Sequence, residues 1–292
     1  MDNSPIFELK ASIEQCLERI APEKKSEISK LYEKYEPKFC YSNIQDFSVS
    51  VDTSTSRVTM SVYTLEYLWA ACYTYYLIYQ KYQTANRDGA SEFDLHGDSE
   101  LVAVMKFYKW GQTRVTKGSN ITAWVDTYPN PKNTDSLSQV ANELFLCALA
   151  WILHHEIAHV YHAHPNIAGS NEESREQEKE ADASATNWIM NAVTDQAMVK
   201  KRGLGISIAI LAMTAQDILS GNFDKETHPR SFERLDNALV SYFNDEDHVV
   251  YAFSTTILHV SMTLSGLPID LGSEQDTWKD HFVNCLISLS RQ

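Results

Sequence analysis

The sequence predicts a mainly α-helical protein with one small β-hairpin, an α+β fold. Three observations carry that prediction. Apolar residues recur at i, i+3, i+4 and i+7 through most of the chain, the spacing of amphipathic helices. One stretch after Pro37 switches to alternation, with Phe47, Val49 and Val51 on one arm, Val58, Met60 and Val62 on the other, and DTSTS between them, the pattern of a hairpin. Finally, residues 144–153 are apolar on every side, which in a water-soluble protein marks a helix running through the core.

Composition sets bounds on the rest. At 292 residues and 43% hydrophobic content the chain can bury one large core or two modest ones, and no compositional break marks a linker. The expected organisation is an N-terminal helical segment over 1–46 and one compact unit over 47–292. Thirty-nine acidic against 25 basic residues give a net charge of −14, which repels nucleic acid and anionic lipid where no basic patch intervenes. Cys16, Cys40, Cys72, Cys147 and Cys285 are odd in number and share no close spacing. They suggest neither a disulfide framework nor a cysteine–zinc site, and they fit a reducing cytoplasm. The opening MDNSPIFELK has no basic segment followed by an apolar one, so no secretion signal is expected. The apolar runs at 67–79 and 204–215 fall short of the roughly 18 residues a membrane span needs, so both are expected to be buried helices.

In chain order, residues 9–21 carry Ile13, Cys16, Leu17 and Ile20, and residues 23–36 carry Ile28, Leu31, Tyr32 and Tyr35, two amphipathic helices. The hairpin that follows either covers the core or offers an exposed strand edge as a rail for an extended peptide. Thr64 opens an aromatic-rich helix that breaks at the turn signal over 86–89. A helix from Ser99 to about Trp110 leads into a polar connection over 111–134, long enough to serve as a lid. Pro129 and Pro131 bar an earlier start to the next helix, Ser136 with Gln139 fits an S-x-x-Q capping box, and Pro165 stops it. After a polar loop over 166–173, REQEKEADASATNWIM reads as a helix, and 203–220 as another, buried and ended by Gly221. Pro229 suits the first turn of a further helix, with His228 at or near its N-cap and Phe232, Leu235 and Leu239 inward. Helices at about 245–264 and 275–290 finish the chain.

The chemistry concentrates at His155-Glu156-x-x-His159. On a helix, residues four apart lie one above the other, so two imidazoles can grip one zinc ion. Glu156 sits beside them and remains free to take a proton from a water the metal has acidified. This pattern points to a metallopeptidase. His154 and His162 are further candidates for metal or substrate, although His154 points about 100° from the ligand stripe and His162 lies on it one turn too far.

A catalytic zinc needs a third protein ligand. Metzincins would place glycine three residues and histidine six residues after His159, and His162 and Pro165 occupy those positions instead. Glu178-Lys-Glu-Ala-Asp182 has the E-x-x-x-D arrangement of gluzincins, in which the aspartate orients a ligand histidine from behind. Either Glu178 or Glu180 is near enough to bind. From Glu178 the residues Ala181, Asp182, Ala185, Trp188, Ile189 and Ala192 follow at helical spacing, which puts Glu178 on the inward face and Glu180 toward water. Asp182 would then accept a hydrogen bond from His155 or His159.

Four blocks carry a family resemblance: TLEYLWA from Thr64, SQVANELFLCALAWILHHEIAH ending at His159, EADASATNWI from Glu180, and Thr227-His228-Pro229. Together they resemble the phage-exclusion peptidases of the Lit family, over roughly 47–240. The T-H-P motif with Arg234 six residues after His228 is also similar to HtpX-type zinc proteases, whose corresponding histidine and arginine face the reaction intermediate. By that likeness His228 would stabilise an oxyanion, and Arg234 would steady it or a nearby carboxylate. The Lit resemblance implies a bacterial endopeptidase, cytoplasmic or peripheral at the inner membrane, that cuts translation elongation factor Tu when a phage peptide signals infection. Two alternatives stand beside it. One is a zinc-stapled, non-enzymatic infection sensor, against which the presence of Glu156 argues; the other is a metallopeptidase with an unrelated regulatory target.

Overall fold

The apolar helix that carries H-E-x-x-H is the axis of the fold. The structure, a computed structural model, describes residues 4–90, 92–269 and 276–292. Short helices α1 (Lys10–Glu14), α2 (Cys16–Ile20) and α3 (Lys25–Tyr35) lead into strands β1 (Lys38–Ser42), β2 (Val49–Asp52) and β3 (Arg57–Ser61). The long helices follow: α4 (Val62–Arg87), α5 (Ser99–Val115), α6 (Ser136–Tyr161), α7 (Asn171–Met190) and α8 (Gln196–Ser220). Helices α9 (Ser231–Val240), α10 (Val249–Leu264) and α11 (Trp278–Ser290) complete it, so the protein is mainly α with a small sheet, as expected. Residue 275, the expected start of the last helix, lies outside the described residues.

The hairpin pairs β2 with β3 antiparallel, Val51 opposite Val58, and β3 also pairs with β1 in parallel, in the order β1-β3-β2. Alternation alone did not reveal β1, which has only five residues and no turn joining it to its partner. Two boundaries move. Phe47 lies ahead of β2, and Val62 begins α4, because the Thr64 hydroxyl accepts a hydrogen bond from the Ser48 amide and donates one to the Asp46 carbonyl, tying the helix start to the approaching strand.

Helix α6 contacts α2, α4, α7, α8 and the sheet, and residues 144–153 are all buried. Asp135 caps it, accepting from the Ser138 amide at 2.9 Å and the Ser138 hydroxyl at 2.8 Å. The expected Ser136–Gln139 box therefore does not form, since an ionised carboxylate one residue earlier is the stronger acceptor. Helix α8 lies so close to α6 that a Cβ on Gly205 would collide with that of Cys147. Gly111 plays the same part between α5 and α4, where a Cβ would meet Ala70 at 3.0 Å. That glycine read as a helix end in the sequence, yet α5 continues to Val115.

Both α6 and α8 are long and apolar enough to cross a membrane, and each buries most of that stretch inside the protein. The N-terminal segment shares the same core through Ile6, Ile13, Leu17, Ile20 and Ile28, and Glu23 pairs with the buried Arg202 of α8. The connection after α5 is anchored: Trp124 packs 4.9 Å from Trp110 between ring centroids, and its Nε1 donates to the Pro129 carbonyl.

Candidate active site

A cleft of about 1170 Å³ opens between β2, the C-terminal half of α6, α7, the end of α8 and the segment leading into α9. His155, Glu156, His159, Glu178, His228 and Arg234 all line it. Helix periodicity brings His155 and His159 together, with their Nε2 atoms 3.2 Å apart. Packing of α7 on α6 brings Glu178 to them: Oε2 lies 3.3 Å from His155 Nε2, and Oε1 lies 3.6 Å from His159 Nε2. Trp151 helps set that packing by donating its Nε1–H to Thr186.

The donor set suits a metal. Two imidazoles and one carboxylate offer ligand atoms within 4.8 Å of one another. Donors held at roughly 2.05 Å around a tetrahedral zinc would stand about 3.3 Å apart, close to the 3.2 Å between the two Nε2 atoms and the 3.3 Å from His155 Nε2 to Glu178 Oε2. Glu178 Oε2 is buried, with His155 Nε2 at 3.3 Å and Arg234 Nη2 at 4.0 Å, so its charge sits where only cationic partners offset the loss of water.

Electrostatics prepare the groups differently. Burial opposes charge on His155, but hydrogen bonds and charge from Asp182 and Glu178 outweigh it and hold its pKa up at about 10. Burial and the neighbouring His155 push His159 down to about 4, leaving it neutral with a free lone pair. Burial raises Glu156 to about 7, against the lowering influence of His155. Glu178 stays well below the usual carboxylate range because the hydrogen bond and charge of His155 outweigh its burial.

Behind His155, Nδ1–H donates to Asp182 Oδ1 at 2.8 Å, and Arg234 forks onto the same carboxylate. Of the alternatives left open in the sequence, Asp182 therefore backs His155, and Arg234 steadies a carboxylate. His228 lies two residues before Arg230, the N-cap of α9; its Nε2 is 3.5 Å from Glu178 Oε1, and Nδ1 meets the Thr227 hydroxyl at 2.8 Å.

Glu180 stands on the outer face of α7, as expected, yet it is engaged. It accepts from His164 Nε2–H at 3.0 Å and lies 3.2 Å from His162 Nδ1. His164 Nδ1 in turn lies 2.9 Å from His159 Nδ1. A His164 tautomer that donates Nε2–H to Glu180 leaves Nδ1 to accept, so His159 donates and keeps Nε2 free for a metal. Residue order alone did not single out His164. The helix stops four residues before Pro165, where Ala163 turns left-handed at φ 58°, the Ala163 amide bonds the Val160 carbonyl and the His164 amide bonds the His159 carbonyl. Such a turn normally announces itself by glycine.

His154 takes no part in the cleft. It is wholly buried against Trp188, its ring centroid 4.5 Å away, and burial drops its pKa to about 3. His162 is likewise outside the cleft lining and bonds Ser184 as well as approaching Glu180. Ala192, assigned to the inward stripe of α7, lies past the helix end and is exposed, because the helix stops at Met190. Of the connection over 111–134, the cleft is lined only by Val115, Thr116 and Lys117.

Comparison with known proteins gives the family. The family model described as Peptidase U49 matches residues 58–254, more than half of the chain. The "Cell death peptidase" of Escherichia coli (strain K12) is 30% identical over 281 residues, covering 93% of each chain, so similarity reaches beyond the blocks at 47–240. No solved structure matches the chain. The chain is a peptidase and belongs to the Peptidase U49 family, in keeping with the Lit-type sequence blocks it carries.

Proposed function

We propose that this protein is a zinc-dependent endopeptidase of gluzincin type, with His155, His159 and Glu178 holding the metal. The observation that carries the reading is the convergence of those three donors in one cleft, with Glu156 beside them and outside the ligand set. When bound, zinc supplies Lewis-acid polarisation of the scissile carbonyl and lowers the pKa of water. Glu156 takes the water's proton and passes it to the leaving amine, a task suited to a carboxylate whose pKa lies near neutrality. His228, beside Glu178 in the cleft, donates to the developing oxyanion. Asp182 and Arg234 fix the ring of His155.

The substrate enters as an extended chain. Strand β2 is the edge of the sheet on the cleft side, and Val49, Ser50 and Val51 line the cleft, so this strand serves as the rail. Asn166 ties that hairpin to the loop after α6, accepting from the Thr53 amide at 2.8 Å and donating to Asp52 at 2.9 Å. Elongation factor Tu, cut in response to a phage peptide, is the substrate that the Lit resemblance nominates, and phage exclusion is the corresponding role. The setting is the bacterial cytoplasm or the inner face of its membrane.

The test is incubation of the purified protein with a bacterial lysate, with and without a chelator, followed by identification of new protein termini. Chelator-sensitive new termini are expected, with elongation factor Tu among the cut proteins; Glu156→Gln should bind zinc and yield none. His228→Ala should keep metal and slow turnover about a hundredfold, the scale of one oxyanion donor. Termini that persist in full with the chelator would overturn the metal mechanism.

A further inference from the structure

A second cavity, of about 460 Å³, lies between α4, α5, α8 and α10, and neither the peptidase chemistry nor the family relationship uses it. Its size falls within the roughly 300–1,000 Å³ of small-molecule sites. Its walls are mostly aliphatic, with Ile78, Met105, Ala215, Ile218, Ile257 and Leu264 among them. All four principal walls are α-helices, whose backbone groups bond internally. A peptide in the cavity would therefore find few partners for its amides and carbonyls, whereas an acyl chain has none to satisfy.

Charge selects the head group. Among the described residues no aspartate or glutamate lines this cavity, although the chain carries 39 acidic residues. The lining does include Lys106 and Lys109, exposed and one turn apart on α5, and neither takes part in an ion pair among the described residues. We propose that the cavity binds a free long-chain carboxylate, with its tail among the aliphatic walls and its head against Lys106 and Lys109.

The experiment titrates dodecanoate, below its micelle-forming concentration, into the full chain by calorimetry. Saturable one-to-one binding is expected. Lys106→Glu combined with Lys109→Glu should weaken it about tenfold or more through loss of the charged contacts. Dodecyltrimethylammonium, with the same tail and a cationic head, should bind less well than dodecanoate to the original chain. Val260→Trp, placed on the partly exposed wall, should block both ligands while circular dichroism shows the fold retained. The proposal fails if both heads bind equally, if neither the charge reversal nor the blocking substitution changes binding, or if the chain binds phospholipid vesicles but not free dodecanoate.

Discussion

Arg234 holds Asp182 in a two-pronged grip, Nε to Oδ2 at 2.8 Å and Nη2 to Oδ1 at 2.7 Å. The same Oδ1 receives the proton on His155 Nδ1, so a residue of α9 fixes, through a carboxylate on α7, the direction in which a side chain of α6 points. A buried carboxylate in contact with both a guanidinium and an imidazole remains ionised, and the pKa of Asp182 is lowered despite its burial. Asp182→Asn should therefore weaken zinc binding by about 10–100-fold, the usual cost of losing a ligand's partner. Arg234→Lys keeps the charge but loses the fork, and should fall between the two. Competition with a coloured chelator reads both; unchanged affinity in Asp182→Asn would show that His155 does not depend on it.

Proton release on metal binding follows from the state of His155. With its pKa held up at about 10, His155 carries a second proton at neutral pH, and a metal at Nε2 must displace it. His159, lowered to about 4, has none to give. At pH 8, where Glu156 is mostly ionised, zinc binding should release about one proton, and affinity should rise by up to ~tenfold per pH unit until His155 itself deprotonates near 10. Calorimetry in buffers of different ionisation enthalpy counts the proton, and pH-independent affinity between 7 and about 9 would contradict the linkage.

The site also depends on how closely two helices approach. At Gly205 any side chain drives α8 away from Cys147 and the α6 backbone, roughly two helical turns before His155. Gly205→Ala should cost roughly 1–3 kcal/mol of stability, as overpacking does, even though alanine favours helix. A denaturant melt measures it, and a gain in stability would show that the helices have room to part.

Much of this architecture was readable from residue order. The long apolar runs of α4, α6 and α8 and the H-E-x-x-H spacing are local properties of one helix, and so is the phase that set Glu178 inward and Glu180 outward. What escaped depends on contacts between distant segments or on unusual backbone. Gly111 looks like a helix end in sequence and Gly205 like any residue of a buried helix, yet both are small because another helix passes close by. Strand β1 exists only because β3 pairs with it. The Asp135 cap displaced a plausible serine, since motif matching ranks no acceptors against each other.

His164 is the most informative of the omissions, because its position rests on a turn without the expected glycine. The Glu180–His164–His159 chain sets the proton on His159 Nδ1 and frees Nε2, without any of its outer members touching a metal. Glu178→Ala should abolish zinc binding, since it removes a ligand. His164→Ala should lower affinity by about 10–100-fold, and Glu180→Gln by less, because it acts one link further away. The turn supplies an independent control. Ala163 at φ 58° pays the steric cost of a left-handed residue. Ala163→Gly should relieve it, leave zinc affinity unchanged and hold or raise stability, whereas the β-branched Ala163→Val should pull His164 out of place and weaken zinc binding with every ligand and relay side chain still present. Equal zinc affinity in Ala163→Gly and Ala163→Val, together with unchanged affinity in His164→Ala, would mean that His159 orients itself without this chain.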